Sequence, residues 1–137
     1  ADQKPRIVIV GAGFGGVKAA KLFAKQDVNV TIIDANFQLF QPLLYQVSTA
    51  VLSTDEIAYP IRTFFRKNNN VEFFMAKAQG VDQARKVVKT NHGEIPYDYL
   101  ILSAGATTNF FGMKSVEENS YGMKTLQEAL HIRNHVL

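Results

Sequence analysis

Three glycines, Gly11, Gly13 and Gly16, stand in the spacing Gly-x-Gly-x-x-Gly directly after four apolar residues, Ile7-Val8-Ile9-Val10. Glycine at the first position permits a tight turn out of a strand. At the second it lets a pyrophosphate approach the backbone, and at the third it lets the following helix pack closely on the strand. The phosphates of a dinucleotide would rest on the N-terminus of that helix, where unpaired N–H groups and the helix dipole both favour an anion. Asp34 closes the next Val/Ile-rich run, 18 residues past Gly16. A carboxylate there accepts hydrogen bonds from the ribose hydroxyls of an adenosine. It also repels a 2′-phosphate, so NADP is not the ligand expected.

These residues need a β–α–β unit to position them. The β-branched run at Arg6–Val10 reads as a buried parallel strand, Val17 to Lys25 carries helical periodicity, and Val28–Asp34 is a second strand. Ala35 to Val51 has no clean period although it is rich in Phe and Leu. Ser53-x-x-Glu56 and Thr125-x-x-Glu128 have the spacing of capping boxes, the second opening a helix that runs to Leu137. Pro60 limits the first of these helices, and Ile61 to Lys67 resumes as a second helical piece. Val71–Met75 and Asp98–Ser103 complete the predicted parallel sheet. Between them, Lys77–Asp82, Lys86–Thr90 and Glu94–Tyr97 alternate in polarity and are separated by turn residues, which predicts an antiparallel β-meander. The fold class expected is α/β, with helices on one side of the sheet and the meander crossover on the other.

Composition narrows the chemistry. The 137 residues are 47% hydrophobic and 20% charged, as in globular proteins, which excludes a disordered or low-complexity chain. Cys is absent, so the chain offers no disulfide, no thiolate nucleophile and no Cys-ligated metal. The net charge of +3 comes from Lys and Arg scattered along the sequence, and no nucleic-acid-binding motif accompanies them. His131 and His135 are four apart on the last predicted helix, but nothing nearby completes a ligand set, and we expect no metal. Arg62, Arg66 and Lys67 flank Phe64 and Phe65. That pattern is read as a surface helix burying its phenylalanines rather than as a membrane-contacting one. Tyr45, Tyr59, Tyr97 and Tyr99 are read as core or cofactor-lining aromatics.

The run Ile7–Gly16, then Val30-Thr31-Ile32-Ile33-Asp34, then Phe40-Gln41-Pro42-Leu43-Leu44-Tyr45-Gln46-Val47-Ser48-Thr49-Ala50 resembles the opening of a type II NADH dehydrogenase, the single-subunit, FAD-containing NADH:quinone oxidoreductase. Ile57–Arg62 and Tyr97–Ala106 are similar as well. The resemblance implies a Rossmann-like FAD-binding domain, of which residues 1–137 would be the N-terminal part. No second glycine motif for NADH occurs, and the fragment alone is not expected to turn over. By the same resemblance, Gly11, Gly13, Phe14, Gly15 and Gly16 would hold the FAD pyrophosphate. Asp34, with Ala35 and Asn36 beside it, would bind the adenosine ribose, and the Ala78 backbone would meet the adenine. Ser103, Ala104 and Gly105 would approach the flavin, standing where the family more often has Ala-Thr-Gly. Gln41 to Gln46 would lie near the isoalloxazine. No residue is assigned as acid, base or nucleophile.

The resemblance further implies NADH and a membrane quinone as partners of the full-length enzyme. It places the enzyme at the cytoplasmic side of the cell membrane, held through a C-terminal segment beyond this chain, and it admits a homodimer. Two alternatives are carried forward: another quinone-linked flavoprotein of the sulfide:quinone type, and a non-catalytic adenine-dinucleotide-binding module.

Overall fold

The computed structural model describes residues 3–40 and 42–137, and the chain divides into two compact units. Residues up to Leu39 together with Pro60–Gly105 form the first, and Phe40–Tyr59 with Ala106–Leu137 form the second.

The first unit is built on a four-stranded parallel sheet. Its strands are β1 (Arg6–Val10), β2 (Asn29–Asp34), β5 (Val71–Met75) and β9 (Tyr99–Leu102), in the order β5-β2-β1-β9. Both central strands are buried on both faces, which is why they read as unbroken apolar runs rather than as alternating ones. Alternation still decides which face each side chain serves. Ile7, Ile9, Val30, Ile32 and Phe73 point to one side, where they pack with Val17 and Ala20 of helix α1 (Phe14–Phe23) and with Ile61 and Phe65. Ile61 opens the short helix α4 (Ile61–Phe64), and Phe65 is its C-cap residue. Val8, Val10 and Ile33 point to the other side and meet Ala76, Val88 and Tyr97. Val88 lies in the antiparallel meander β6 (Ala78–Asp82), β7 (Val87–Thr90) and β8 (Gly93–Pro96), and Tyr97 follows it. Helices therefore cover one face and the meander the other, as the sequence predicts. Phe64 and Phe65 go under the helix layer, which agrees with their reading as buried residues.

A fixed charge pair closes the sheet at the start of β9. The Asp98 carboxylate accepts from the Arg6 backbone N–H (2.7 Å) and from its guanidinium Nε and Nη2 (3.1 and 3.0 Å). The Arg6 side chain, helped by its backbone amide, holds the Asp98 carboxyl down at about 2. A carboxyl whose pKa is depressed on folding stabilises the native state above its unfolded pKa. That contribution is lost as pH falls through the folded one, so the window is roughly pH 4 to 2. Asp98→Asn is therefore expected to flatten the acid limb of a Tm-versus-pH curve in that window while leaving the alkaline limb unchanged. An acid limb identical to that of the parent chain would disprove the linkage.

In the second unit, α2 (Leu44–Ser48) packs on α6 (Leu126–Val136) around Val47, Ile57 and Ala129. Both predicted capping boxes form. The Glu56 carboxylate accepts from the Ser53 N–H (2.7 Å) and hydroxyl (2.8 Å), opening α3 (Thr54–Ile57). Glu128 donates its N–H to the Thr125 hydroxyl (3.2 Å) and accepts the Thr125 N–H (2.8 Å). Strands β3 (Gln38–Phe40) and β4 (Ala58–Pro60) pair where the chain leaves and rejoins the first unit, and α5 (Lys114–Glu118) completes the elements. Of the tyrosines, Tyr97 is in the core, whereas Tyr45, Tyr59 and Tyr99 are exposed. The core half of their reading is corrected for those three: each lies on a short helix or strand with its ring side in water, where a phenol's polar tip is hydrated.

Candidate functional site

The glycine turn connects β1 to α1, and each of its glycines answers a different demand. Gly11 has φ of +99°, a conformation that side chains resist. A Cβ there would also collide with the backbone carbonyl of Ser103. Gly16, in the first turn of α1, is buried, and a Cβ on it would collide with the Gly11 carbonyl oxygen. Gly13 differs from both. Its φ is −72°, which any residue accepts, and a Cβ would meet no protein atom within 4 Å. Two glycines are thus required by the chain's own packing, while the third leaves open space beside the helix terminus. An approaching phosphate group would use that space.

The helix begins earlier than its periodicity suggests. α1 starts at Phe14 rather than Val17, with Gly13 as its N-cap, so Gly15 and Gly16 lie inside the first turn. Sequence periodicity misses this because glycines carry no apolar signal. The consequence is chemical. The first hydrogen bond of the helix is Val17 N–H to the Gly13 carbonyl (2.9 Å), no side chain caps the terminus and no acidic residue stands in the first turn. The N–H groups of Phe14, Gly15 and Gly16 precede that first bond and so have no intrahelical acceptor, and they stand at the positive end of a ten-residue helix.

Asp34 ends β2 next to this turn and is half-buried. One carboxylate oxygen accepts the Ala12 N–H at 2.7 Å and the other accepts the Asn36 N–H at 2.8 Å. The carboxylate thus clamps the glycine turn to the end of β2, a duty that spacing alone does not reveal. Each oxygen keeps a further lone pair for a hydroxyl donor. Ala35 and Asn36 follow it on the exposed side. Asp34→Asn removes the charge and one of these acceptors. Hydrogen bonds to a charged group are worth about 1.5–3 kcal/mol, so unfolding should show a loss of that order. An unchanged denaturation midpoint would remove the clamp.

On the far side of the turn, the Ser103 hydroxyl shares its one hydrogen between the carbonyls of Val10 (3.0 Å) and Gly11 (2.9 Å). This gives Ser103 a positioning duty toward the turn. Ala104 and Gly105 follow as exposed residues, with Gly105 at φ of +77°. Ala78 opens β6 opposite Thr90, beside a β-bulge. Gln46 lies on α2 in the second unit, where its carbonyl accepts the N–H groups of Val51 and Leu52. Gln41 lies outside the described residues. The structure brings together Gly11–Gly16, Asp34 and Ser103, and the roles expected of Ala78 and Gln46 belong to the proposal below.

His131 and His135 both pack against the ring of Tyr121, with centroids 5.4 and 5.3 Å away. Among the described residues, no group of three or more His, Cys, Asp or Glu is placed to hold a metal ion, and no helix is long and apolar enough to cross a membrane.

This fold recurs in solved structures. The chain superposes on the sulfide:quinone oxidoreductase of Aquifex aeolicus with a TM-score of 0.87 and 27% identity, over 96% of this chain and 31% of that one. The NDH2 of Plasmodium falciparum gives 0.82 and 27%, over 96% and 28%. In sequence, it is 39% identical to the type II NADH:quinone oxidoreductase Ndh of Mycobacterium tuberculosis across 98% of this chain, spanning 30% of that protein's length. The family model for pyridine nucleotide-disulphide oxidoreductases, a family of FAD-dependent enzymes that use a pyridine nucleotide, matches residues 5–137. The chain belongs to the pyridine nucleotide-disulphide oxidoreductase family.

Proposed function

We propose that the chain is the FAD-binding portion of a type II NADH:quinone oxidoreductase. The observation that carries this reading is the glycine turn, in which Gly13 is free of packing demands and stands beside the first-turn N–H groups, which have no intrahelical acceptor. The residues present fit FAD. The N–H groups of Phe14, Gly15 and Gly16 would take the pyrophosphate, and Asp34, with Ala35 and Asn36, would take the adenosine ribose. Ala78 would offer its backbone to the adenine. Ser103, Ala104 and Gly105 would stand toward the ring system, with the Gln41–Gln46 stretch on the isoalloxazine side.

FAD, when bound, supplies the two-electron chemistry, accepting a hydride and passing electrons on. The chain's own share is to fix the cofactor's anionic centre on a helix terminus, to hold its ribose at a carboxylate and to keep the turn rigid through Ser103. The 39% identity to a mycobacterial type II NADH:quinone oxidoreductase supports NADH as donor and a quinone as acceptor for the whole protein. Peripheral attachment at the cytoplasmic side of the membrane, through a segment outside this chain, and a homodimeric state complete the reading. The division into an N-terminal FAD-binding part, here residues 1–137, and an NADH-binding part follows from the same likeness.

The test is a flavin-fluorescence titration of this chain with FAD, competed by ADP and by NADH. Saturable binding displaced by ADP and poorly by NADH is expected. NADH competing as well as ADP does, with FAD bound weakly, would favour a simple adenine-dinucleotide module instead. The superposition on a sulfide:quinone oxidoreductase supports a second reading, in which sulfide replaces NADH as donor. Reduction of the full-length protein's flavin by NADH but not by sulfide decides between the two.

A further inference from the structure

We propose that the helix-covered side of the first unit is a docking surface for anionic lipid headgroups. The basic residues look scattered in the sequence, but the fold gathers six of them. Lys18, Lys21 and Lys25 recur at spacings of three and four, which keeps them within one stripe of α1 and the turn after it. Arg62 lies on α4, and Arg66 and Lys67 follow in the turn beyond it. The two groups are neighbours, since the Lys21 ammonium sits 4.6 Å from the centre of the Phe64 ring. All six side chains are exposed.

No acid answers them. Neither α1 nor α4 carries a carboxylate, and among the described residues none of the six is in an ion pair. Asp27, between α1 and β2, is paired with Lys4 at 2.6 Å, and Glu72 on β5 lines a cleft with Arg62 without pairing to it. The whole chain has a net charge of only +3, so everything outside this face is net negative. A protein with so uneven a charge orients in the field of an anionic surface.

Two details favour lipid over other polyanions. Leu22, 58% exposed, stands in the same stripe as the lysines, and an apolar side chain among cations gains from a headgroup–acyl boundary. Phe64 and Phe65 pack beneath this face, and Phe14, 61% exposed at the start of α1, is a single ring rather than a row on which successive nucleic-acid bases could stack. Preference for lipid over an acidic protein rests on the proposed function, because a quinone acceptor is dissolved in the membrane.

The test is co-sedimentation of this chain with vesicles at about 0.1 M salt, comparing phosphatidylcholine alone with phosphatidylcholine plus phosphatidylglycerol. Binding is expected only to the anionic vesicles. Each basic residue near such a surface is worth about fivefold, so Lys25→Gln/Arg66→Gln/Lys67→Gln should weaken binding about a hundredfold. A control triple with the same net charge on the meander side of the same unit, Lys77→Gln/Lys86→Gln/Lys89→Gln, should change it little. Both triples are exposed, and circular dichroism checks that each still folds. Equal losses in the two triples, equal binding to neutral vesicles, or tighter binding to an RNA oligomer or polyglutamate would each overturn the proposal. The vesicles contain no quinone and the readout is sedimentation, so failure of the electron-transfer reading leaves this result unaffected.

Discussion

Gly13→Val should leave the chain folded and cost it FAD. The folded state has room for the side chain: φ of −72° suits valine, and a Cβ there has no protein neighbour within 4 Å. Valine is a poorer N-cap than glycine, but it also restricts the unfolded chain, and the two effects oppose each other. The net change in stability is expected to stay within about 1 kcal/mol. Binding is a different matter, because the isopropyl group occupies the space through which a pyrophosphate must come to reach the N–H groups of Phe14, Gly15 and Gly16. Charge-assisted hydrogen bonds are worth about 1.5–3 kcal/mol each. Losing two of them weakens FAD binding by about a hundredfold or more. Gly13→Ala, with one methyl group, should fall between the two. Parallel thermal melts and FAD titrations separate the effects. A Gly13→Val chain that melts normally and binds FAD with parental affinity would show that the pyrophosphate does not use this turn.

How much of this could be read from sequence depended on the kind of signal. The two central strands were legible because burial on both faces leaves apolar runs such as Ile7–Val10, and the edge strands β5 and β9 by their short apolar runs Phe73–Met75 and Tyr99–Leu102. The two capping boxes were legible because Ser53/Glu56 and Thr125/Glu128 make their contacts within one turn, so the spacing is the structure. The meander was legible from alternation and from turn residues such as Asn91 to Gly93. α2 and α5 were not, since five-residue helices are too short to display a period. The early start of α1 was hidden by its glycines. The site was legible in its residues but not in all their duties. Asp34 was read as a ribose ligand from its distance past Gly16, whereas its bond to the Ala12 amide depends on β1 and β2 lying side by side. The Ser103 hydroxyl reaches the Gly11 carbonyl across 92 residues of sequence, which no local pattern encodes. The gathered cations are the same kind of fact, since α1 and α4 become neighbours only when both pack on the sheet.

Gly11→Ala is expected to have the opposite outcome to Gly13→Val: the fold fails before binding can be measured. Two penalties coincide at this position. The backbone sits at φ of +99°, where a non-glycine residue costs about 1–3 kcal/mol. The methyl group would also press into the end of β9, colliding with the Ser103 carbonyl oxygen, 2.6 Å from its carbon and 3.0 Å from the Ala104 Cα. These are backbone atoms held by the Ser103 N–H bond to the Val10 carbonyl (2.8 Å), so no flexible side chain can swing aside. Relief requires β1 and β9 to part at the turn, which also strains the shared hydrogen bond of the Ser103 hydroxyl. Together these put the loss above about 4 kcal/mol, in the range reached only by a few named mechanisms. A domain with a total stability of about 5–15 kcal/mol does not absorb that easily. Gly16→Ala meets the Gly11 carbonyl from the other side of the turn and should behave alike. Urea denaturation should therefore order the three alanine variants with Gly13→Ala near the parent and both others far below it. If all three had similar midpoints, the division of labour among these glycines would not hold.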